Sequence, residues 1–402
     1  MKKNLIVTAI AALAASFAGA ANAQSSVTLY GLIDTGLTFV NNVANPNPNQ
    51  SNAKTNFHGL TSGNLQESRW GLRGSEDLGG GMKAIFTLES GFNVDNGQSN
   101  NGLFGRQAFV GLSSDVGTVT LGRQYDSVVD YLGPLSAAGT WGGTYFGHVA
   151  GNDNLNSNFS IANAVKFQSA NYSGFTFNGM YGFSNQAGGF KNNRAYSFGA
   201  GYANGPLKVG AAYMQANGVN SATNSGGAVS GEQFASVFGP KGVDGTSLAT
   251  ARERQRTFGA GASYSYDAMT FGALWTQSRL DNDSTNVLIS NQSAHFNNFE
   301  VNGRYALTPA LALGAAYTYS FGKASDEFGA QSESVHFHQF GLQADYALSK
   351  RTDFHIEAVA QIAGGGADGF YPVASIANNN GAFGPSSSSR QVLLNTGIRH
   401  RF

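Results

Sequence analysis

Apolar and polar positions alternate with a period of two along most of the chain, and helical periodicity is almost nowhere visible. Leu311, Leu313, Ala315, Tyr317, Tyr319 and Phe321 share one face, opposite Ala310, Ala312, Gly314, Ala316, Thr318 and Ser320. Phe299, Val301, Tyr305 and Leu307 oppose Glu300, Asn302 and Arg304. Phe354, Ile356, Ala358, Ala360 and Ile362 oppose His355, Glu357 and Gln361. The same alternation runs through Phe175–Phe183 and Phe258–Tyr266. One face is apolar and often aromatic near the segment ends, whereas the other is dominated by Gly, Ser, Asn and Thr. A soluble sandwich buries its apolar face and places many charges outside. A small polar face suits a wide aqueous lumen, and aromatic ends suit the girdles of a membrane barrel.

The alternation predicts strands at about 25–40, 66–76, 82–93, 104–113, 117–124, 162–170, 174–184, 195–203, 206–217, 254–266, 268–280, 295–307, 310–323, 335–348, 351–363 and 390–402. Short turns at Asp77–Gly81, Ser114–Gly117, Tyr172–Gly174, Asn204–Pro206, Tyr266–Ala268, Thr308–Pro309 and Leu348–Lys350 alternate with long polar stretches. The long stretches are near 41–57, 94–102, 125–160, 185–194, 218–253, 281–294, 324–334 and 365–389. That rhythm predicts an all-β transmembrane antiparallel barrel of about sixteen strands, with short periplasmic turns and long outer loops.

Composition sharpens this picture. Charged residues are 12% of 402 and Gly numbers 54, against about 25% and 7% in soluble domains. Cys is absent, which excludes disulfides, thiol catalysis and cysteine metal sites. Lys+Arg 24 balance Asp+Glu 24, without the basic excess of a nucleic-acid binder. Met1–Ala23 reads as a cleaved signal peptide: Lys2 and Lys3, an apolar run from Leu5 to Ala18, then Ala21-Asn22-Ala23. The mature barrel domain is then 24–402. No other run is long and apolar enough for a helical span, so an exported chain entering a membrane does so as a closed barrel.

Several stretches carry a resemblance. They are Ser26-Val27-Thr28-Leu29-Tyr30-Gly31, Ser68-Arg69-Trp70-Gly71-Leu72-Arg73-Gly74-Ser75-Glu76-Asp77-Leu78-Gly79-Gly80-Gly81, Arg106-Gln107-Ala108-Phe109-Val110-Gly111-Leu112, Gly117-Thr118-Val119-Thr120-Leu121-Gly122-Arg123 and the terminal Gly397-Ile398-Arg399-His400-Arg401-Phe402. Together they resemble the sixteen-stranded general porins of Gram-negative bacteria, of the β-proteobacterial type. The resemblance implies a homotrimer in the outer membrane, in contact with lipid and lipopolysaccharide and inserted by the barrel assembly machinery. It implies a water-filled diffusion channel in each subunit and a third long loop, 125–160, folded inward as a constriction. Phe402, closing an amphipathic last strand, is the expected assembly signal.

Filtering in such a pore is electrostatic: charged side chains line a narrow aqueous passage. The resemblance places a basic wall at Arg69, Arg106 and Arg123. Alternation supports Arg69 and Arg73 as inward, opposite Trp70 and Leu72. It does not place Arg106, in phase with Val110 and Leu112, or Arg123, in phase with Val119 and Leu121, unless a bulge or strand end intervenes. Lys166 adds a further cation. Asp126 and Asp130 are the expected acidic counterpart on the loop, which also holds Asp153, Trp141, Tyr145 and Phe146. Lys83, Glu89, Glu300, Arg304 and Glu357 lie on the polar phase and are expected to line the lumen elsewhere. The expectation is a transverse field with weak anion preference.

The rival readings are a substrate-specific channel of the same architecture, a barrel enzyme and an adhesin. The seven histidines (His58, His148, His295, His336, His338, His355 and His400) form no nucleophile motif. His336 and His338 lie two apart on one face without a further ligand cluster. No catalytic residue, metal or cofactor is expected.

Overall fold

The computed structural model describes residues 26–44, 54–218, 224–229, 238–239, 254–281, 293–325, 332–366, 371–377 and 382–402. The expected signal peptide lies outside them. Sixteen antiparallel strands close into a barrel. They are β1 (Ser26–Ala44), β2 (in two segments, Lys54–Ser62 and Arg69–Gly79), β3 (Met82–Phe92), β4 (Gln107–Ser114), β5 (Gly117–Gln124), β6 (Ile161–Ser169), β7 (Phe175–Gly182) and β8 (Arg194–Asn204). The ring continues through β9 (Leu207–Asn217), β10 (Arg254–Tyr266), β11 (Met269–Asp281), β12 (Ser293–Ala306), β13 (Leu311–Ser325), β14 (Ser332–Ala347), β15 (Thr352–Gly365) and β16 (Arg390–Arg401). Every strand pairs with its sequence neighbours. The ring closes where β1 pairs with β16, from Leu32 opposite Arg401 to Val40 opposite Leu393. Gly31 and Phe402 exchange backbone hydrogen bonds at 3.0 and 3.2 Å, so the terminal aromatic seals the seam.

The seven short turns fall where the sequence places them. The first turns on three glycines in the left-handed region (Gly79 φ 80, Gly80 φ 60, Gly81 φ 79), where a side chain would be strained. The first two strands are longer than the sequence reading. Residues 41–44 extend β1 and 54–57 already belong to β2, so the first long connection is shorter than 41–57. β2 consists of two segments, Lys54–Ser62 and Arg69–Gly79, which pair with the outer and inner halves of β1. Between them the ladder is interrupted. The buried Asp34 carboxylate accepts the Leu65 and Gln66 N–H groups, both at 2.8 Å, and Ser68 Oγ bonds the Asp34 N–H and carbonyl. Local side-chain bonds thereby replace the missing strand bonds.

The alternation has the predicted sense. Val301, Ile356, Leu394 and Ile398 project outward and are exposed; Gln339, Glu357, Gln391 and Asn395 project inward. The exposed large apolar side chains from Val27 to Val165 are all aliphatic, whereas Tyr172, Phe175, Phe198, Tyr264, Tyr266, Phe271 and many others follow around the rest of the barrel. Among the described residues no helix is long and apolar enough to cross a membrane.

Candidate pore constriction

The segment between β5 and β6 folds into the barrel. It opens with the short helix α1 (Ser127–Tyr131). Ser127 Oγ meets Ser197 Oγ on β8 at 2.8 Å. The segment then crosses the lumen. Leu135 O accepts from Asn302, Ala137 N–H donates to Glu300 at 2.7 Å, and Gln343 on β14 donates to Trp141 O. At the far side Thr144 N–H bonds Asn64 O at 2.9 Å, and Tyr145 Oη reaches Asn64 at 2.7 Å and Thr61 at 3.1 Å. The interruption of β2 is therefore a socket for the loop tip. Returning, Gly147 O accepts from Gln339 and Asp153 accepts from Thr276 at 2.6 Å.

The wall is shaped to receive this loop. A Cβ at Gly199 would collide with Tyr131, at Gly314 with Trp141 and at Gly341 with Phe146. Inward Met180, Ala195, Ala212, Met214 and Leu274 form one buried cluster with Val128, Leu132, Leu135 and Leu155 of the loop. Part of the small inward face is thus a packing surface rather than a wet one. Gly341→Val is expected to overpack the Phe146 seat by about 1–3 kcal/mol and lift the loop tip. Higher open-channel current noise, with unchanged barrel folding in heat-modifiability gels, is the expected readout.

The loop acids do not face a basic wall across open water. Asp126 is fully buried and caps α1 through the Val128 N–H at 2.7 Å and the Val129 N–H at 3.4 Å; Asn154 also donates to it at 2.6 Å. Burial pushes its carboxyl up to about 6, although the helix N–H groups pull the other way. Asp130 is ion-paired with Lys166 of β6 and bonded to Asn178 at 2.6 Å. Asp130 and Lys166 thus meet, but as a tether of loop to wall. Asp153 holds His148 Nδ1 at 2.6 Å, while His148 Nε2 meets Glu300 of β12 at 2.9 Å, all three side chains at most 2% exposed. Burial alone would lower the His148 pKa, but the carboxylates on both ring nitrogens outweigh it and raise it to about 10. The sequence alone does not reveal this buried clamp. His148 and Asp153 lie five residues apart, but Glu300 lies 152 residues from His148 and only the fold brings it to them.

Glu300 and Glu357 are inward, as expected, but do not line water. Glu300 is 2% exposed beneath the loop, and Glu357 is fully buried with Gln343 donating to it at 3.2 Å. Arg304 is inward at the turn end of β12, paired with Asp345 at 3.0 Å. The basic wall gathers around Glu89. Arg106 Nε lies 2.8 Å from Glu89 and its guanidinium also pairs with Glu67; Arg69 Nε lies 3.7 Å from Glu89. Tyr30 and Tyr125 donate to Glu89 at 2.9 and 3.3 Å. Arg106 precedes the first residue of β4, so the alternation does not bind it and it turns inward. Arg123 sits at a bulge, where the register against β6 shifts between Gly122 and Gln124, and donates to the Gly105 carbonyl at 2.5 Å. It braces the preceding loop and belongs to none of the ion pairs among the described residues. Arg73 is exposed on the inward phase with its guanidinium 5.2 Å from the Tyr30 ring centroid, and Lys83 is exposed on the same phase.

His336 and His338 share an outward face with ring centroids 5.8 Å apart. Tyr317 Oη holds His338 at 2.8 Å, and no metal-ligating group of three occurs among the described residues.

A closed sixteen-stranded barrel with an apolar exterior, a polar interior and one loop folded across the lumen defines a transmembrane channel protein. The profile of the Gram-negative porin family matches residues 9–362, and the chain belongs to that family. It is 33% identical to an outer membrane porin protein of Bordetella pertussis over the full length of both chains. It is 36% identical to outer membrane porin protein 32 of Delftia acidovorans, over 52% of this chain and 58% of that one. Among solved structures, an anion-selective porin from Comamonas acidovorans superposes with a TM-score of 0.67 at 23% identity, covering 94% of this chain and all of that one. The trimer form of a Vibrio cholerae outer membrane protein superposes at 0.62 with 16% identity, covering 94% and 99%. The protein is an outer-membrane channel, as the alternation and the resemblance anticipated.

Proposed function

We propose that the protein is a trimeric diffusion pore for small hydrophilic solutes, with its aperture between the inward loop and the β2–β4 wall. The observation that carries this is the distribution of loop contacts. The loop is bonded to β1, the outer half of β2, β6–β8, β10–β12 and β14 and packs against β9 and β13, while Arg69, Arg73, Lys83, Glu89 and Arg106 hold the remaining wall, which the loop meets only at its two ends through Tyr125 and Ser160. Two cations and two carboxylates of that wall neutralise one another, the loop acids are spent on tethers, and Arg73 has no carboxylate partner among the described residues. The net field in the aperture is weakly basic, which supports weak anion preference.

Aromatic girdles mark barrel surface that meets lipid headgroups. The outward sector from Val27 to Val165 exposes only aliphatic large side chains, which suits contact with a second copy of the chain. Trp70, also outward there, is half-buried and packs edge-on against Phe104. The remaining readings are cleavage after Ala23, assembly through Phe402 by the barrel machinery, and contact with lipopolysaccharide.

The test is planar-bilayer recording of wild type and Arg73→Gln under a salt gradient. Ohmic steps in groups of three, with an anion-selective reversal potential diminished in the variant, are expected. Folded protein that gives no steps overturns the pore. Single steps overturn the trimer, and an unmoved reversal potential removes Arg73 from the filter.

A further inference from the structure

Two tyrosines sit within the charged wall, and each touches Glu89 and an arginine. Tyr30 on β1, Gly71 on β2 and Glu89 on β3 are direct neighbours in one row across the sheet. A Cβ on Gly71 would lie 2.8 Å from Tyr30 Cζ and 2.9 Å from its Oη. The missing side chain at position 71 is therefore the bed on which the Tyr30 ring crosses β2. Its hydroxyl donates to Glu89 Oε2 at 2.9 Å, and its face carries the Arg73 guanidinium, 5.2 Å from the centroid. Tyr125, next after β5, repeats the arrangement at the other oxygen. Its hydroxyl donates to Glu89 Oε1 at 3.3 Å, and the Arg106 guanidinium lies over its ring at 5.6 Å. Lys166 Nζ holds the Tyr125 carbonyl at 2.8 Å. Each phenol thus grips the carboxylate with its hydroxyl and a cation with its ring, which attracts positive charge to its face.

Arg106 Nε lies 2.8 Å from Oε1 and Arg69 Nε 3.7 Å from Oε2, so each oxygen has one phenol and one arginine. These neighbours match the roughly four lone-pair sites of a carboxylate. The phenols are neutral, so they fix Glu89 without altering the charge of the wall. We propose that Tyr30 and Tyr125 are positioning residues of the filter: they pin Glu89 to the wall between Arg69 and Arg106, and thereby set the ion preference of the passage. This rests on the reading of the β2–β4 wall as one side of the aperture. Tyr30→Phe isolates the effect, because the ring and its contact with Arg73 remain and only the O–H is lost. Arg69 stands beyond hydrogen-bond distance, so among the described residues Oε2 is then left without a bonded donor and the carboxylate turns toward the passage. A charge nearer the permeating ion acts on it more strongly, since Coulomb energy falls inversely with separation.

The test compares reversal potentials under a salt gradient in planar bilayers. The proteins are wild type, Tyr30→Phe, Tyr125→Phe, Glu89→Gln and Tyr30→Phe/Glu89→Gln, each first checked for heat-modifiable migration. Tyr30→Phe is expected to lower the anion-to-cation permeability ratio roughly twofold. Tyr125→Phe should lower it less, because its hydrogen bond is the longer one. In the Glu89→Gln background Tyr30→Phe should move nothing further, since the hydroxyl no longer has a charge to hold. A Tyr30→Phe channel with wild-type reversal potential overturns the proposal, as does a shift that persists undiminished in the Glu89→Gln background. An unmoved Tyr125→Phe channel overturns the assignment of Tyr125. In each of these cases a shift in Glu89→Gln alone keeps the filter itself. If Glu89→Gln moves nothing, the wall is not the filter and both assignments fall with that reading.

Discussion

His148→Ala is expected to release the inward loop from β12 and raise single-channel conductance, with greater current noise. Among the described residues the imidazole is the only cation between Asp153 and Glu300, and all three are buried. Removing it leaves two buried carboxylates facing one another without a counter-charge. Breaking a buried pair in this way costs about 3–5 kcal/mol. The cost falls on the loop, because the sixteen-strand ladder closes without it. The barrel should therefore keep its heat-modifiable migration while the aperture widens. Wild type should show the same release with alkali. The His148 pKa of about 10 lies above its unfolded value, so the clamp is at full strength below about pH 6.5 and is lost as pH rises through about 10. Asp153 sets the acid side: burial would raise its pKa, but the His148 cation holds it below the usual carboxylate range, so its contribution persists until strong acid. Conductance recorded against pH should stay level through neutrality and climb above about pH 10 in wild type. A His148→Ala channel with wild-type conductance and the same alkaline climb would sink the clamp.

Arg106→Gln and Glu89→Gln are expected to move the reversal potential in opposite directions. Arg106 is 12% exposed and Glu89 6%, and both sit in the charged cluster of the β2–β4 wall, which the loop meets only at its ends through Tyr125 and Ser160. With Arg106 neutral, Glu89 and Glu67 face Arg69 alone and the aperture turns toward cations. With Glu89 neutral, Arg69 and Arg106 face Glu67 alone and anion preference strengthens. A single charge change here matters more than at the surface, because the low-permittivity wall focuses the field on the passage and salt screens it less. The Arg106 variant also loses contacts to two carboxylates, a cost of about 3–5 kcal/mol if neither is re-paired. Folding of each variant is checked by heat-modifiability before recording. Shifts of the same sign in both variants, or none in either, would remove the cluster from the filter.

Much of this was legible in the chain. Alternation alone predicts the barrel, the strand number, the seven turns and the outward face. In lipid each strand must satisfy its backbone through its neighbours and sort its side chains by parity, and both demands are written locally. Parity even places Arg69 and Arg73 inward without help. It stops short where the rule is suspended. Arg106 lies one residue outside its strand, Arg123 sits on a bulge, and β2 breaks where the Asp34 carboxylate takes over the hydrogen bonds of Leu65 and Gln66.

What covers an inward residue was decided only by the tertiary structure. Glu300, Glu357, Gln339 and Thr276 share a phase that reads as lumen lining, yet all are buried: Glu300, Gln339 and Thr276 are bonded to the folded loop and Glu357 to Gln343 beside it. Asp126 and Asp130 read as pore acids and are instead a helix cap and a tether to Lys166. Alternation assigns a side chain to one of two faces and carries no information about a distant segment packed on that face. The seat of the loop is assembled from single residues on β1, β2 and β6–β14, so no contiguous stretch of sequence contains it. Local order in this protein follows from the chain and its solvent, whereas the division of the lumen into wet wall and packed wall follows from where one loop comes to rest.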